Sequence, residues 1–108
     1  MNIETMTDRC EAEKASTLLK ALANPNRLMI VCRLIDGERS VGALADDLGA
    51  SESLVSQHLA LLRREHIVCA RRDAQTIYYA IDSAAARAIV ETLAQHHCRR
   101  QETDQGKA

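Results

Sequence analysis

The stretch that most restricts the fold is Ser40 to Glu65, SVGALADDLGASESLVSQHLALLRRE. It holds two helix-forming runs with a short break between them. In the second run, apolar residues fall at Val55, Leu59 and Leu62, a spacing that draws one stripe along one face of a helix. Ser51 stands where an N-cap belongs, directly before the periodic run and shortly after Gly49. Gly49 ends the first run, because glycine enters the left-handed conformation that closes a helix. Two short helices joined by a few residues that include Gly form a helix-turn-helix.

The exposed front of the second helix is small and polar: Ser53, Ser56 and Gln57, with Arg63 and Arg64 at its far end. Short hydrogen-bonding side chains ahead of guanidinium groups on a rigid helix suit a DNA major groove. Such helices also occur on ordinary surfaces, so the flanking elements decide the matter.

At 108 residues the chain is most simply one domain. Its only aromatics are Tyr78 and Tyr79, so the core must be built from Leu, Ile, Val and Ala, which favours helices over a sandwich. The net charge of -1 argues against a protein that coats nucleic acid indiscriminately, and any binding to DNA has to come from a local basic surface. No apolar run approaches a membrane span, and MNIETMTDRC lacks a signal-peptide core; the expected location is cytoplasmic, with no membrane partner. Four cysteines without a C-x-x-C pair do not make a disulfide framework.

Along the chain, residues 1–9 are expected to be flexible, residues 10–100 to form the domain and residues 101–108 to be a disordered tail. Glu11 to Ala23 reads as a helix with Leu18, Leu19 and Leu22 on its apolar face. Asn24 then caps a second helix whose first position is Pro25, where a missing N–H costs nothing. That helix runs to about Asp36, with Leu28, Val31, Cys32 and Ile35 turned inward. His66 follows the helix-turn-helix where Gly would ease a left-handed cap, which implies a modestly strained turn. Beyond it the apolar period changes to two. Ile67–Arg72 and Thr76–Ile81 form a hairpin around Asp73-Ala74-Gln75, and its bend is expected to place Arg71, Arg72 and Gln75 beside the second helix of the helix-turn-helix. Asp82 or Ser83 caps a last helix to about Arg100, with Ala85, Ala88, Ile89, Thr92 and Leu93 available for an apolar seam. The expected class is mainly α with a small β-hairpin, a winged helix-turn-helix.

This order of elements, with ALANPNRL, SVGALADDLGASESLVSQHLALLRREHIV and RRDAQTIYYAI, resembles the ArsR/SmtB family of winged-helix bacterial repressors over roughly residues 12–99. The resemblance implies a homodimer through the first and last helices. It also implies two recognition helices in successive major grooves of a palindromic double-stranded operator, and an inducer that releases the DNA. Carried over residue by residue, it assigns DNA contact to Ser53, Ser56 and Gln57 on the helix and to Arg72 and Gln75 in the wing. Arg63 is a phosphate contact by position alone. No cofactor and no enzymatic activity are implied, and no nucleophile–base pair or phosphate-binding loop stands out in the sequence.

Members of the family differ mainly in their inducer sites. Metalloid sensors carry Cys-x-Cys in the helix corresponding to SVGALADDL, which has no Cys here. Zinc sensors place Asp, His, His and Glu along the last helix; Asp82 fits the first, but Ala84, Gln95 and Cys98 occupy the other positions. What remains is Cys32 with Cys98, a pair similar to that of the persulfide-responsive BigR- and SqrR-type branch. There the two cysteines become joined by a disulfide or polysulfide bridge when reactive sulfur species act as inducer. A sensing thiol must be partly thiolate and reachable. His96, His97, Arg99 and Arg100 flank Cys98 and favour its anion, whereas Cys32 is expected in an apolar pocket as the protected, resolving thiol.

Three other readings stand beside this one. A buried cysteine is commonly a small hydrophobe and nothing more. Cys32, Cys98 and His97 together suit a soft metal ion. A winged helix can also serve protein interaction without touching DNA. Cys69, expected to pack on a wing strand, and Cys10 receive no role.

Overall fold

The computed structural model describes residue 3 and residues 7–107, with side chains described as far as residue 97. Its elements run α1 (Arg9–Leu22), α2 (Pro25–Leu34), β1 (Arg39–Ser40), α3 (Val41–Leu48), α4 (Glu52–Arg64), β2 (Val68–Asp73), β3 (Thr76–Ile81) and α5 (Ala84–Lys107). The three strands form one antiparallel sheet in the order β1-β3-β2. This is a winged helix-turn-helix: α3 and α4 are the paired helices, and the β2–β3 hairpin is the wing.

Local chemistry sets most of the boundaries. Asn24 Oδ1 accepts from the backbone N–H groups of Asn26 and Arg27 at 2.9 and 3.2 Å, so two orphan donors of α2 are satisfied by one side chain. Arg27 Nε reaches back to the Ala21 carbonyl at 2.6 Å and closes the end of α1. Ser40, Ser51 and Ser83 do for α3, α4 and α5 what Asn24 does for α2, accepting from Ala43, Leu54 and Ala86 at 3.0–3.1 Å. Of the two candidate caps for α5, Ser83 fills the role.

The two helices of the helix-turn-helix end in the same way. After α3, the N–H groups of Gly49 and Ala50 donate to the carbonyls of Asp46 and Ala45 at 3.2 and 3.0 Å. After α4, those of His66 and Ile67 donate to Arg63 and Leu62 at 3.0 and 2.9 Å. This is the Schellman pattern, and it requires a left-handed residue at its turn. Gly49 supplies it at φ 64, and His66 supplies it at φ 60, so the strained turn expected from the sequence is present.

The core is aliphatic, as the scarcity of aromatics requires. Val55, Leu59 and Leu62 of α4 are fully buried at 0% exposure, packed with Ile30, Val31 and Leu34 of α2, Leu44 of α3, Ile67 and Val90. Here two sequence expectations need correction. The buried face of α2 is Ile30, Val31 and Leu34; Leu28 and Ile35 are half-buried and Cys32 is exposed. The run Leu28-Met29-Ile30-Val31 is continuously apolar and cannot fix the rotational phase of a helix, so packing chose the phase. On α5 the buried positions are Ala86 and Val90, with Ile89 packed beside them, while Ala85, Ala88, Thr92 and Leu93 stay exposed within the chain.

Helix α5 also continues to Lys107, past the end near Arg100 and through most of the stretch 101–108 expected to be a disordered tail. The side chains of 98–108 lie outside the described residues, as does most of the segment 1–9 expected to be flexible. No helix among the described residues is long and apolar enough to cross a membrane.

The matched caps make a direct test. A non-glycine residue in the left-handed region costs about 1–2 kcal/mol, partly offset by the greater unfolded-state entropy of glycine. His66→Gly should therefore raise the unfolding free energy by about 0.5–1 kcal/mol, and Gly49→Ala should lower it by ~1 kcal/mol or more. Urea denaturation of the two variants against the parent chain reads both signs.

Candidate nucleic-acid interface and cysteine cavity

With Val55, Leu59 and Leu62 locked into the core, the remaining face of α4 must point outward. Ser53, Ser56 and Gln57 are all exposed, as are Arg63 and Arg64. Ser56 lines an open groove of about 470 Å³ whose opposite wall is the wing, through Gln75, Ile77 and Tyr79. Ser40 and Glu52, at the starts of α3 and α4, close one end of it. The structure therefore brings Ser56 and Gln75 together. Arg63 lies about 15 Å along the helix axis from Ser53, at 1.5 Å per residue, and so serves a different part of any ligand from the polar front.

The wing separates its two arginines. In an antiparallel ladder, residues directly opposite share a face and successive residues alternate. Arg72 is opposite Ile77 and Ala70 is opposite Tyr79, so Arg72 belongs to the face that borders the groove. Arg71, opposite Tyr78, belongs to the other face. Its guanidinium lies 4.8 Å from the Tyr78 ring centroid and makes a two-pronged pair with Glu38, Nε to Oε2 at 3.2 Å and Nη2 to Oε1. That hydrogen bonding holds the Glu38 carboxyl below its usual range and raises Arg71 above its own. The expectation that Arg71 sits beside α4 is thus overturned: β1, a strand too short to leave a sequence pattern, brings Glu38 up to hold it. Among the described residues, no ion pair engages Arg63 or Arg72.

On the inner side of α4, His58 is half-buried and its pKa is lowered, first by loss of solvent and then by the nearby Arg27 charge. A neutral imidazole is what this position favours.

The second feature is a cavity of about 330 Å³ between α2 and α5. It is lined by Cys32 and Ile35 on one side and by Val90, Glu91, Ala94 and Gln95 on the other. The apolar pocket expected around Cys32 is instead an open cleft of mixed polarity, because α2 turns Ile30 and Val31 inward and leaves Cys32 at the α5 border. Arg87 ties the two helices together: Nη1 donates to the Ile35 carbonyl at 3.3 Å and lies 3.7 Å from Glu91 Oε2. No motif announced Arg87, since its acceptor is a backbone carbonyl of a distant helix.

Cys98 is one helical turn beyond Ala94 on α5, and its side chain falls outside the described residues, as do those of Arg99 and Arg100. His96 and His97 are exposed. Cys10 is exposed, and so is Cys69, whose Sγ lies 3.8 Å from the Ala80 carbonyl. The strand turns Val68 inward, so its neighbour Cys69 faces out rather than packing as expected.

Fold and surface together define a winged helix-turn-helix DNA-binding protein. The family model for bacterial regulatory proteins of the arsR family matches residues 24–69. The transcriptional activator HlyU of Vibrio cholerae is 44% identical over 99 residues, covering 92% of this chain and 90% of that protein. Its reduced form superposes with a TM-score of 0.82, covering 86% of this chain and 98% of HlyU. The transcriptional repressor BigR of Xylella fastidiosa superposes at 0.80 with 40% identity, covering 88% and 95%. A homodimeric winged helix-turn-helix DNA-binding domain from Mycobacterium bovis, a possible ArsR-family regulator, gives 0.71 with 33% identity, covering 87% and 92%. The chain belongs to the arsR family of bacterial transcriptional regulators; it is not an enzyme.

His58 supplies a pH test. Its folded pKa lies below the unfolded value of about 6.5, so the unfolded chain binds the proton more readily. The associated stability is fully present above about pH 6.5 and is lost as pH falls through the lowered folded pKa. Between pH 7 and pH 5, above the carboxylate range, the parent chain should lose more unfolding free energy than His58→Gln. Parallel denaturation curves at several pH values measure the difference.

Proposed function

We propose that the chain acts as a homodimeric repressor that holds a palindromic double-stranded operator when reduced and releases it when reactive sulfur species bridge Cys32 and Cys98. The observation that carries this reading is the cleft between α2 and α5, which Cys32 lines and towards whose end the α5 backbone carries Cys98. Of the relatives, BigR is named a repressor and HlyU an activator, and the proposed sign of regulation follows BigR; the likeness to the homodimeric M. bovis domain supports the assembly. So do the exposed Leu19 on α1 and Leu93 on α5, at 52% and 39%, which a partner subunit would cover.

On DNA, Ser53, Ser56 and Gln57 would meet base edges in the major groove. Arg72 and Gln75 would follow the backbone or minor groove from the wing, and Arg63 a flanking phosphate. Such a regulator works in the bacterial cytoplasm, where the DNA is.

The sulfur chemistry balances with a polysulfide as oxidant. The Cys98 thiolate attacks a sulfane sulfur and expels a shorter polysulfide, leaving sulfur attached to Cys98. The Cys32 thiolate then attacks the sulfur next to the outermost one, which is Cys98 Sγ itself when a single sulfur is attached, and the outermost sulfur leaves as hydrosulfide. Two thiols give up two protons and two electrons, and sulfane sulfur is reduced to sulfide. A direct disulfide demands Cα atoms within about 7 Å, whereas retained sulfurs relax that limit, so the helix separation would choose between oxidants. A bridge that biases the dimer by about 1–3 kcal/mol weakens DNA binding roughly 5- to 150-fold.

The test uses a duplex selected from a random library with the reduced chain. Fluorescence anisotropy with reduced, polysulfide-treated and zinc-treated protein should show release only after polysulfide. Intact-mass spectra should gain whole sulfurs, and Cys32→Ser should stay bound. Release by zinc with a stoichiometric metal adduct and no sulfur adduct would replace the sulfur reading with the metal one. Failure to select any duplex would leave a protein-interaction module.

Electrostatics offers a separate check. With about four to eight phosphates neutralised per dimer, the log–log salt slope should be roughly -4 to -7. Arg72→Ala should flatten it by about two, one contact per subunit, while Arg71→Ala, already committed to Glu38, should leave the slope nearly unchanged.

A further inference from the structure

The polar front of α4 leaves one residue unexplained. Leu54 is 38% exposed, although Val55, Leu59 and Leu62 of the same helix are completely buried. It stands between Ser53 and Val55 in the first turn and one turn before Gln57, on the outward side. Its position is fixed, because its own N–H is held by the Ser51 hydroxyl at 3.1 Å. Six large apolar side chains are exposed among the described residues, and Leu19 and Leu93 belong to the helices of the proposed dimer contact. Leu54, in the first turn of α4, and Ile77, in the wing wall of the groove, belong instead to the elements proposed to meet DNA.

A leucine can neither donate nor accept a hydrogen bond. In a major groove of base-edge donors, acceptors and methyl groups, its one apolar complement is the C5-methyl of thymine. We infer that Leu54 is a specificity-determining residue, reading a thymine methyl in each half-site next to the bases met by Ser53 and Gln57. This rests on the proposed contact of α4 with base edges. The contact removes apolar surface from water on both sides and adds preference for thymine over cytosine without any hydrogen bond.

The methyl can be removed without touching the protein. Each thymine of the duplex selected with the reduced chain is replaced in turn by deoxyuridine, which pairs identically and lacks only the methyl. One position per half-site should cost the parent chain about 4-fold in affinity, the equivalent of ~0.8 kcal/mol for one buried methyl-sized group, and about 15-fold when both half-sites carry it. Leu54→Ala should bind the thymine duplex more weakly and be indifferent to deoxyuridine at that position, while Leu54→Met should keep the preference. This cycle separates a direct contact from an effect of the methyl on DNA shape.

A flat deoxyuridine scan with the parent chain overturns the inference, and so does a loss of equal size in Leu54→Ala. Failure to select any duplex overturns the DNA reading of α4 beneath it. The parent-chain scan needs no variant, so the result does not depend on how Leu54→Ala folds.

Discussion

Everything that α4 presents to its surroundings is set by the three side chains it turns inward. Val55, Leu59 and Leu62 are fully buried against residues from α2, α3 and the strand that follows. Burying three such side chains contributes on the order of 5–9 kcal/mol, comparable with the whole net stability of a small domain. The helix therefore cannot roll about its axis without unmaking the core. Ser53, Leu54, Ser56 and Gln57 consequently stand at fixed angles, as a base-reading surface requires. Ile67 carries the same rigidity into the wing. Its N–H closes α4 on the Leu62 carbonyl at 2.9 Å, and its own carbonyl accepts from Asp82 at 2.8 Å at the far end of the hairpin.

Charge is distributed with the same economy. A net charge of -1 is compatible with DNA binding because the field at a surface depends on which charges remain uncompensated there. Arg71 is neutralised by Glu38 on the outer face of the sheet, whereas Arg72, on the groove face, and Arg63, at the end of α4, have no acidic partner among the described residues. The Arg39–Asp47 pair at 3.5 Å plays a different part. Asp47 Oδ2 is buried and accepts no hydrogen bond, so the guanidinium is what compensates it, and the pair fastens β1 to α3.

Much of this was legible in the sequence because it is enforced locally. The caps at Asn24 and Ser51, the glycine after α3 and the change of period after Glu65 each act within a few residues, and each stands where the pattern puts it. Long-range choices left no such mark. The two residues of β1 are too few for any periodicity, and the Glu38–Arg71 pair spans 33 positions. Helix α2 could be read in two phases because Leu28 to Val31 are all apolar, and the wrong phase placed Cys32 inside. The exposed face of α4, with Ser53, Ser56 and Gln57, was legible because the apolar stripe of that helix is sharply defined. The surroundings of Cys32 were not, because they depend on how α5 lies across α2.

That packing also constrains what a bridge at Cys32 can do. The end of α2 is fastened to α5 where Arg87 meets the Ile35 carbonyl, and Arg39 Nε holds the Arg33 carbonyl at 3.3 Å. Within the next few residues the chain supplies Glu38 to the wing and Arg39 to α3. A displacement of α2 against α5 therefore has little slack to absorb it, because the segment that follows α2 is held by other elements at Ile35, Glu38 and Arg39. Closely packed elements shift as units rather than deform continuously. Linking α2 to α5 would thus act on the placement of the wing and of α3 relative to a partner subunit, while α4 keeps its shape. Under the proposed function, such a link would change where two reading surfaces stand without changing what either one reads.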